Sequence, residues 1–205
     1  MSTKIKFPIG TLYWVSITGD GKDQSEAGDG SKMKKTATLH LKTDSAECKA
    51  LKADIEKIWE LYKAENPKIK AATKPKSLGY KVVKDKETDE ETDMTAFSLS
   101  TNSFYKDGKP AHVPLYNAKG AVHEMGEDEV GNGSVGTVYG ETGPYEYKGS
   151  FGISLYLKAV QIIPSKLKLR SSDGVEAADI SAYGDDRDSE GPAPIEQTPE
   201  STPNI

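Results

Sequence analysis

The chain has 205 residues, with 27 basic side chains, 32 acidic side chains and one cysteine. The single Cys48 excludes an internal disulfide and a zinc site built from several cysteines. No apolar run approaches the roughly 18 residues that a transmembrane helix needs, and the N-terminus does not resemble a secretory signal. We therefore expect a cytosolic protein without a membrane-embedded part.

Charge is distributed unevenly along the chain. Residues 171–205 contain nine acidic residues and one basic residue, for a net charge of −8, whereas residues 1–170 carry a net charge of +3. The acidic segment is also rich in proline and glycine and poor in large apolar side chains. Such a composition cannot offset the entropy lost on ordering. We predict a folded domain over residues 1–170 and a disordered acidic C-terminal tail over residues 171–205.

The first half of the body predicts two strands and one helix. Residues 10–17 are aromatic and β-branched, residues 18–31 are a Gly/Asp-rich loop, and residues 34–43 alternate between apolar and polar side chains. The helix is predicted to begin with Asp44 as its cap and to end at Asn66-Pro67. Its apolar positions form one continuous stripe: Cys48, Leu51, Ile55, Ile58, Trp59 and Tyr62.

The second half of the body predicts further strands separated by charged loops. The predicted strands are residues 79–84, 94–104, 133–139 and 149–163; the predicted loops are residues 85–93 and 124–133. One long helix among five to seven strands favours a mainly β protein with an OB-fold-like five-stranded barrel, plugged by the helix and carrying extended loops. A β-sandwich would show the same pattern.

No motif in the sequence calls for catalysis. Residues 131–136 match GxGxxG, but a strand-like stretch follows where a dinucleotide site needs a helix, so the glycines favour a curved barrel strand. His123-Glu124 has no second histidine one turn on, and the acids of residues 20–29 do not follow the calcium-loop order. Serine-elbow, Walker and paired-carboxylate patterns are also missing. We expect a non-enzyme without a metal or cofactor.

Aromatic and basic residues are interleaved on the predicted loops and polar faces. Single-stranded nucleic acid is bound by such combinations, because rings stack on bases while lysines pair with phosphates. The alternative is that several of the rings are core or barrel-edge residues. The candidate DNA-binding residues are Trp14, Lys34, Lys35, Tyr105, Lys106, Lys109, Tyr116, Lys119, Tyr139, Tyr147 and Lys148.

The acidic tail has two interpretations. It either keeps the protein soluble or mimics nucleic acid by lying in the basic groove until it is displaced. A flexible coil of its 35 residues spans about 33 Å, whereas a body of this size has a radius of gyration of about 15–16 Å. The tail can therefore reach any face of its own domain.

Three segments together resemble the tailed-bacteriophage single-stranded DNA-binding proteins with an OB fold: residues 131–134 (GNGS), 147–149 (YKG) and 157–161 (LKAVQ). The resemblance implies a protein that coats single-stranded DNA during phage replication, recombination and repair in the cytoplasm of the infected host. It also implies that replication or recombination proteins bind the acidic tail. The candidate partner-binding residues of the tail are Asp185, Asp186, Asp188, Glu190 and Ile205. The alternative function is a non-enzymatic phage assembly protein whose aromatics lie at subunit contacts.

Overall fold

The computed structural model describes residues 2–25, 27–123, 129–170 and 176–179. Within these ranges the chain forms one long α-helix, α1 (Ala46–Glu65), and a short 3-10 helix (Pro164–Lys166). The strands are β1 (Thr3–Lys6), β2 (Gly10–Ser16), β3 (Lys22–Asp23), β4 (Met33–Lys42), β5 (Tyr80–Lys84), β6 (Glu91–Asn102), β7 (Leu115–Tyr116), β8 (Glu129–Val130), β9 (Ser134–Tyr147), β10 (Ser150–Ile162), β11 (Lys168–Arg170) and β12 (Glu176–Asp179).

Five of these strands close into a barrel in the order β9–β2–β4–β6–β10, because β10 pairs with β9 as well as with β6. The β6–β10 pair is parallel and joins Ser100 to Tyr156, whereas the other four pairs are antiparallel. A closed five-stranded barrel with this pairing confirms the OB-fold-like prediction and excludes the two-sheet sandwich.

The strand directions give the barrel two distinct ends. At one end, β4 leads into α1 and the tight turn at residues 147–150 joins β9 to β10; we call this the helix end. At the other, residues 17–32 connect β2 to β4 and residues 103–133 connect β6 to β9; we call this the loop end. Loops that are far apart in sequence therefore meet at one end of the barrel.

The barrel interior is filled by the apolar side of each alternating strand. Leu39 on β4 and Phe97 on β6 are fully buried, and the ring of Phe97 meets that of Phe7 edge-on with centroids 5.9 Å apart. The helix adds its predicted stripe to the same core through Cys48, Leu51, Ile55 and Trp59. Burial of this stripe fixes α1 at one end of the barrel, as predicted.

The glycines of the GxGxxG match allow neighbouring strands of the protein to lie close together. A methyl group at Gly136 would come within 2.2 Å of the Gln161 carbonyl oxygen on β10, and one at Gly131 within 2.9 Å of the Lys168 carbonyl oxygen on β11. Strand β9 follows directly where a dinucleotide site requires a helix. Close approach of neighbouring backbone therefore explains Gly131 and Gly136, and Gly133 has a φ of +88° that favours glycine; that these glycines curve the strand stays a prediction.

Some element boundaries differ from the predictions. The helix is capped by Ser45, whose hydroxyl accepts a hydrogen bond from the Cys48 amide at 3.1 Å, so the prediction of Asp44 as the cap was wrong. Strand β9 continues eight residues past the predicted 133–139, to Tyr147, because β10 pairs with it throughout. Strand β1, which was not predicted, pairs with β9.

A small side sheet is built from β8, β11 and β12. Strand β12 lies inside the predicted tail and pairs with β11. The rest of the tail lies outside the described residues, including Asp185, Asp186, Asp188, Glu190 and Ile205. In the described part of the chain, no helix combines the length and apolar character required to span a membrane.

Candidate nucleic-acid interface

The outer surface of β4 and β6 carries a strip of small hydroxyl side chains. Their inward neighbours are buried apolar residues, so the strand alternation turns Thr36, Thr38, Ser98 and Ser100 outward, and Thr36 pairs with Ser100 and Thr38 with Ser98. We call these four residues the hydroxyl floor. The outward positions of these two strands between Lys34 and His40 and between Ala96 and Asn102 contain no acidic side chain. This surface suits a polyanion.

Trp14 borders the hydroxyl floor from β2. The β2–β4 register shifts between Tyr13 and Ser16, and Trp14 lies in that bulge with a backbone φ of +48°. Its side chain is 44% exposed, although its ring lies 5.6 Å from Tyr13 and 5.8 Å from His40 between centroids. Bulges redirect a side chain out of the regular alternation. The result is an exposed indole beside the strip of hydroxyls.

The Gly-Asn-Gly-Ser turn at residues 131–134 holds this bulge in place. Asn132 Oδ1 accepts a hydrogen bond from the Trp14 amide at 2.8 Å, and the Gly133 amide donates to the Leu12 carbonyl at 2.9 Å. From the other side, the Thr36 hydroxyl donates to the Trp14 carbonyl at 3.1 Å. Both backbone polar groups of Trp14 are thus bonded to side chains of neighbouring segments.

The buried ring of His40 packs against the rings of Tyr13 and Trp14. Its ring lies 4.2 Å from that of Tyr13 between centroids, it is 6% exposed, and its Nε2 has no hydrogen-bond partner among the described residues. Burial lowers the pKa of His40 below its usual value. The ring is therefore neutral at pH 7 and serves as packing for Tyr13 and Trp14.

An exposed turn at the loop end carries three of the candidate residues. It follows β6, and the Tyr105 amide donates to the Lys109 carbonyl at 2.8 Å. Tyr105 is 61% exposed, and the Lys106 side chain is exposed as well. The Lys109 ammonium lies 3.0 Å from the Asp107 carboxylate, and both side chains are exposed. Because an exposed ion pair is weak, a phosphate could replace the carboxylate as the partner of Lys109 at little cost in free energy. The turn starts beside Asn102, which pairs with Lys34.

Lys35 is not on this outer surface. It shares the inward face of β4 with Ala37 and Leu39, and its side chain is 6% exposed. Burial lowers the pKa of the Lys35 ammonium, against the opposing effect of Asp20. The alternation of β4 already contains this information, because odd-numbered positions from 35 to 41 share one face.

The remaining candidates are spread around the barrel. Tyr139 lies on β9, which does not neighbour β4 or β6, and its hydroxyl donates to Gln161 Oε1 at 2.7 Å. Tyr116, on β7, and the exposed Lys119 belong to the loop end. The structure does not bring all eleven candidates into one patch. Tyr147 and Lys148 are exposed at the helix end, and the Lys148 ammonium lies 5.4 Å from the Tyr147 ring centroid.

The predicted site was defined by clusters of aromatic and basic side chains, so it did not include several residues of the outer surface. They are Tyr13, Thr36, Thr38, Lys81, Ser98, Ser100 and Tyr156. The signal that identifies those on β4 and β6 is their position opposite the apolar face of an alternating strand. Within the described ranges, no three His, Cys, Asp or Glu side chains group as a metal site would require.

No protein-family profile matches the sequence, and no curated protein sequence is significantly similar to it. Solved structures do match. The single-stranded DNA-binding protein gp2.5 of bacteriophage T7 superposes with a TM-score of 0.60 at 16% identity, over 80% of this chain and 87% of that one. The single-stranded DNA-binding protein of bacteriophage Enc34, in complex with ssDNA, gives 0.57 at 19% identity, over 78% and 85%. Its C-terminal truncation gives 0.58 at 19% identity, over 78% and 84%.

These likenesses confirm the predicted resemblance at the level of the fold. The barrel and helix of this chain have the architecture of phage single-stranded DNA-binding proteins, although fewer than one residue in five is identical.

Proposed function

We propose that the protein binds single-stranded DNA, with little dependence on base sequence, on the outer surface of β2, β4 and β6. The observation that carries the proposal is the exposed Trp14 ring, held at the edge of the acid-free hydroxyl floor. OB folds bind oligonucleotides on the face formed by their second and third strands, which are β4 and β6 here. Trp14 thus lies where a base would stack.

Residues of the loop end extend this surface. Tyr105 supplies a second stacking ring, and Lys34, Lys106 and Lys109 supply ammonium groups for phosphates. Tyr116 and Lys119 lie at the same end and would contact a longer strand. Tyr147 and Lys148, at the helix end, lie in the loop between the fourth and fifth barrel strands, which also borders the binding face in OB folds. Lys35 and Tyr139 are outside the proposed surface.

In its biological setting, we infer that the protein coats single-stranded DNA during phage replication, recombination and repair, in the cytoplasm of the infected host and without catalysing a reaction. The support is the fold it shares with proteins of bacteriophages T7 and Enc34 that bind single-stranded DNA. The acidic tail would compete for the DNA surface and bind partner proteins. The contrast in charge between the tail and residues 1–170 supports the competition.

The proposal is tested by fluorescence anisotropy of labelled oligo-dT with the full chain and the triple variant Tyr105→Ala/Lys106→Ala/Lys109→Ala. Each stacked base contributes about 1–3 kcal/mol, so loss of one ring and two ammonium groups should weaken binding at least tenfold. A matched control removes two exposed lysines and one large exposed side chain from α1, as Lys49→Ala/Lys57→Ala/Leu61→Ala. The control should bind like the unmodified protein.

The salt dependence gives an independent measure. If the protein neutralises about five phosphates, its affinity for the oligonucleotide should vary with roughly the −3.5 power of the salt concentration. A fourfold rise in salt concentration should then lower the affinity about a hundredfold. Absence of binding by the unmodified protein would overturn the proposal and favour the assembly protein.

A further inference from the structure

We propose that the cleft where β6 meets β10 is a subsite for one nucleotide of the bound single strand. The inference rests on the proposed function, because it extends the DNA surface beyond Trp14 and the hydroxyl floor. We call this feature the seam cleft. It has a volume of about 390 Å³ and is lined by Ser98, Ser100, Tyr145, Ser154 and Lys81 among others.

The seam cleft exists because two barrel strands separate. Strand β10 pairs with β6 at Tyr156 and Ser100, and toward the helix end residues 76–80 pass between the two strands. The Lys76 amide donates to the Phe151 carbonyl at 2.7 Å on β10, and the Ser98 amide donates to the Gly79 carbonyl at 3.0 Å on the β6 side. Gly79 has φ +80°, and a methyl group there would come within 2.4 Å of the buried Leu155 side chain, so glycine lets this segment lie close against β10.

The chemistry of the lining suits an anionic ligand with hydrogen-bonding edges. Ser98 is exposed and Ser100 and Ser154 are half-buried, so all three hydroxyls can be reached from the cleft. A hydroxyl both donates and accepts, so it can bond the edge of any base or a phosphate oxygen. The lining contains no acidic residue, and the exposed Lys81 supplies a positive charge.

Two tyrosines lie at or beside the seam cleft: Tyr145 lines it, and Tyr156 is the β10 residue that pairs with the lining residue Ser100. The Tyr145 ring lies across Gly152, where a methyl group would approach its hydroxyl to 2.7 Å, and the Tyr156 ring lies across Gly143, where a methyl group would approach it to 2.6 Å. Both rings therefore rest on glycine backbone at the outer surface, and Tyr156 is 41% exposed. Flat, supported rings are suitable platforms for a base.

The seam cleft is continuous with the hydroxyl floor, because Ser98 and Ser100 belong to both. From Trp14 on β2 to β10, a bound strand would cross three inter-strand spacings, about 14 Å. At a stacking interval of about 3.4 Å, that distance corresponds to about four nucleotides. A strand with one base on Trp14 would thus place a later nucleotide in the seam cleft, with its base on a tyrosine and its phosphate near Lys81.

The test fills the seam cleft while leaving Trp14 and the loop end unchanged. Ser154→Phe places a ring among the hydroxyls, and Ala53→Phe on the exposed face of α1 adds the same bulk elsewhere. We expect Ser154→Phe to bind labelled oligo-dT about tenfold more weakly, while Ala53→Phe binds like the unmodified protein. Binding by Ser154→Phe that equals that of the control would overturn the inference.

A second variant tests the seam cleft without adding bulk to it, so that weaker binding by Ser154→Phe is not confused with an altered fold. Lys81→Ala removes an exposed ammonium, so the slope of log affinity against log salt should become shallower by about 0.7, the value for one phosphate on a single strand. Photocrosslinking of oligo-dT containing 5-iodouracil, followed by mass spectrometry, should modify Tyr145 or Tyr156 in the unmodified protein. An unchanged slope together with no crosslink at either tyrosine would overturn the seam cleft alone, whereas failure of every protein to bind oligo-dT would overturn the proposed function as well.

Discussion

At the scale of single residues, Trp14 shows how a binding side chain is positioned by its backbone. A positive φ of +48° is unfavourable for a bulky residue, by about 1–3 kcal/mol, and persists only where neighbouring groups hold it. Here the Asn132 side chain bonds the Trp14 amide and the Thr36 hydroxyl bonds its carbonyl. The GNGS turn is thus a positioning element for an exposed ring.

Replacement of Asn132 by alanine should therefore loosen Trp14. We expect Asn132→Ala to bind oligo-dT several-fold more weakly and to lower the free energy of unfolding by about 1 kcal/mol, the value of one hydrogen bond. Asn132→Asp keeps the acceptor oxygen and should preserve the Trp14 environment. In a Trp59→Phe background, acrylamide quenching of the remaining tryptophan measures that environment directly. Equal quenching of the alanine and aspartate variants would contradict the positioning role.

His40 predicts a pH dependence of stability. Its pKa is lowered by burial, as is that of His123, so the unfolded chain binds protons that the folded protein does not. Stability should be complete above the unfolded value of about 6.5 and be lost as the pH falls toward the folded pKa, by at most about 1.4 kcal/mol per pH unit for each histidine.

The histidine effect is measured by urea unfolding between about pH 7 and pH 5, above the range in which carboxylates with lowered pKa lose their contribution. His40→Phe keeps an aromatic ring against Tyr13 and removes the titration. Its unfolding free energy should vary less with pH than that of the unmodified protein. The same slope for both proteins would mean that His40 does not contribute.

At the scale of elements, α1 illustrates both the reach and the limit of local patterns. The apolar stripe identified which face is buried, since Cys48, Leu51, Ile55 and Trp59 are all in the core. The cap was misassigned by one residue, because Asp44 and Ser45 are both good capping residues and the pattern cannot separate neighbours. Backbone geometry decides: Ser45 is extended, with φ −64° and ψ 149°, and its hydroxyl reaches the Cys48 amide.

The two capping candidates can be compared directly. Ser45→Ala should lower the free energy of unfolding by about 1 kcal/mol, because it leaves the Cys48 amide without its acceptor. Asp44→Ala loses only an exposed 3.5 Å contact with Lys49 and should have little effect. Urea denaturation of both variants checks the assignment, and a larger loss for Asp44→Ala would reverse it.

At the scale of the whole molecule, the proposed competition between tail and DNA is electrostatic. Neutralising the tail with Asp185→Asn/Asp186→Asn/Asp188→Asn/Glu190→Gln should tighten oligo-dT binding several-fold at about 50 mM salt. The difference should shrink near 0.5 M, where screening is strong. Anisotropy of the full-length variant measures this without shortening the chain. Equal affinities at low salt would leave the tail without a competing role.

A shortened chain offers a second comparison, and the structure indicates where to shorten it. Ending the chain after residue 170 would remove β12, which pairs with β11. Ending it after residue 179 keeps that pair and still removes the four substituted acids.

The amino-acid sequence by itself determined the elements with a strong local period: the alternating strands, the amphipathic helix and the division between a basic body and an acidic tail. These patterns are local, because a strand face repeats every two residues and a helix stripe every three or four. The same alternation implies that Lys35 shares the inward side of β4 with Ala37, as the structure shows, although Lys35 was predicted to bind DNA.

Only the tertiary structure decided which strands close the barrel, which loops share an end and what holds Trp14. Asn132 bonds Trp14 across 118 positions of sequence, and Tyr156 on β10 pairs with Ser100 on β6. The seam cleft arises from the same parallel pairing. Pairing between distant strands depends on the closing of the whole barrel, and no local period in the sequence encodes it.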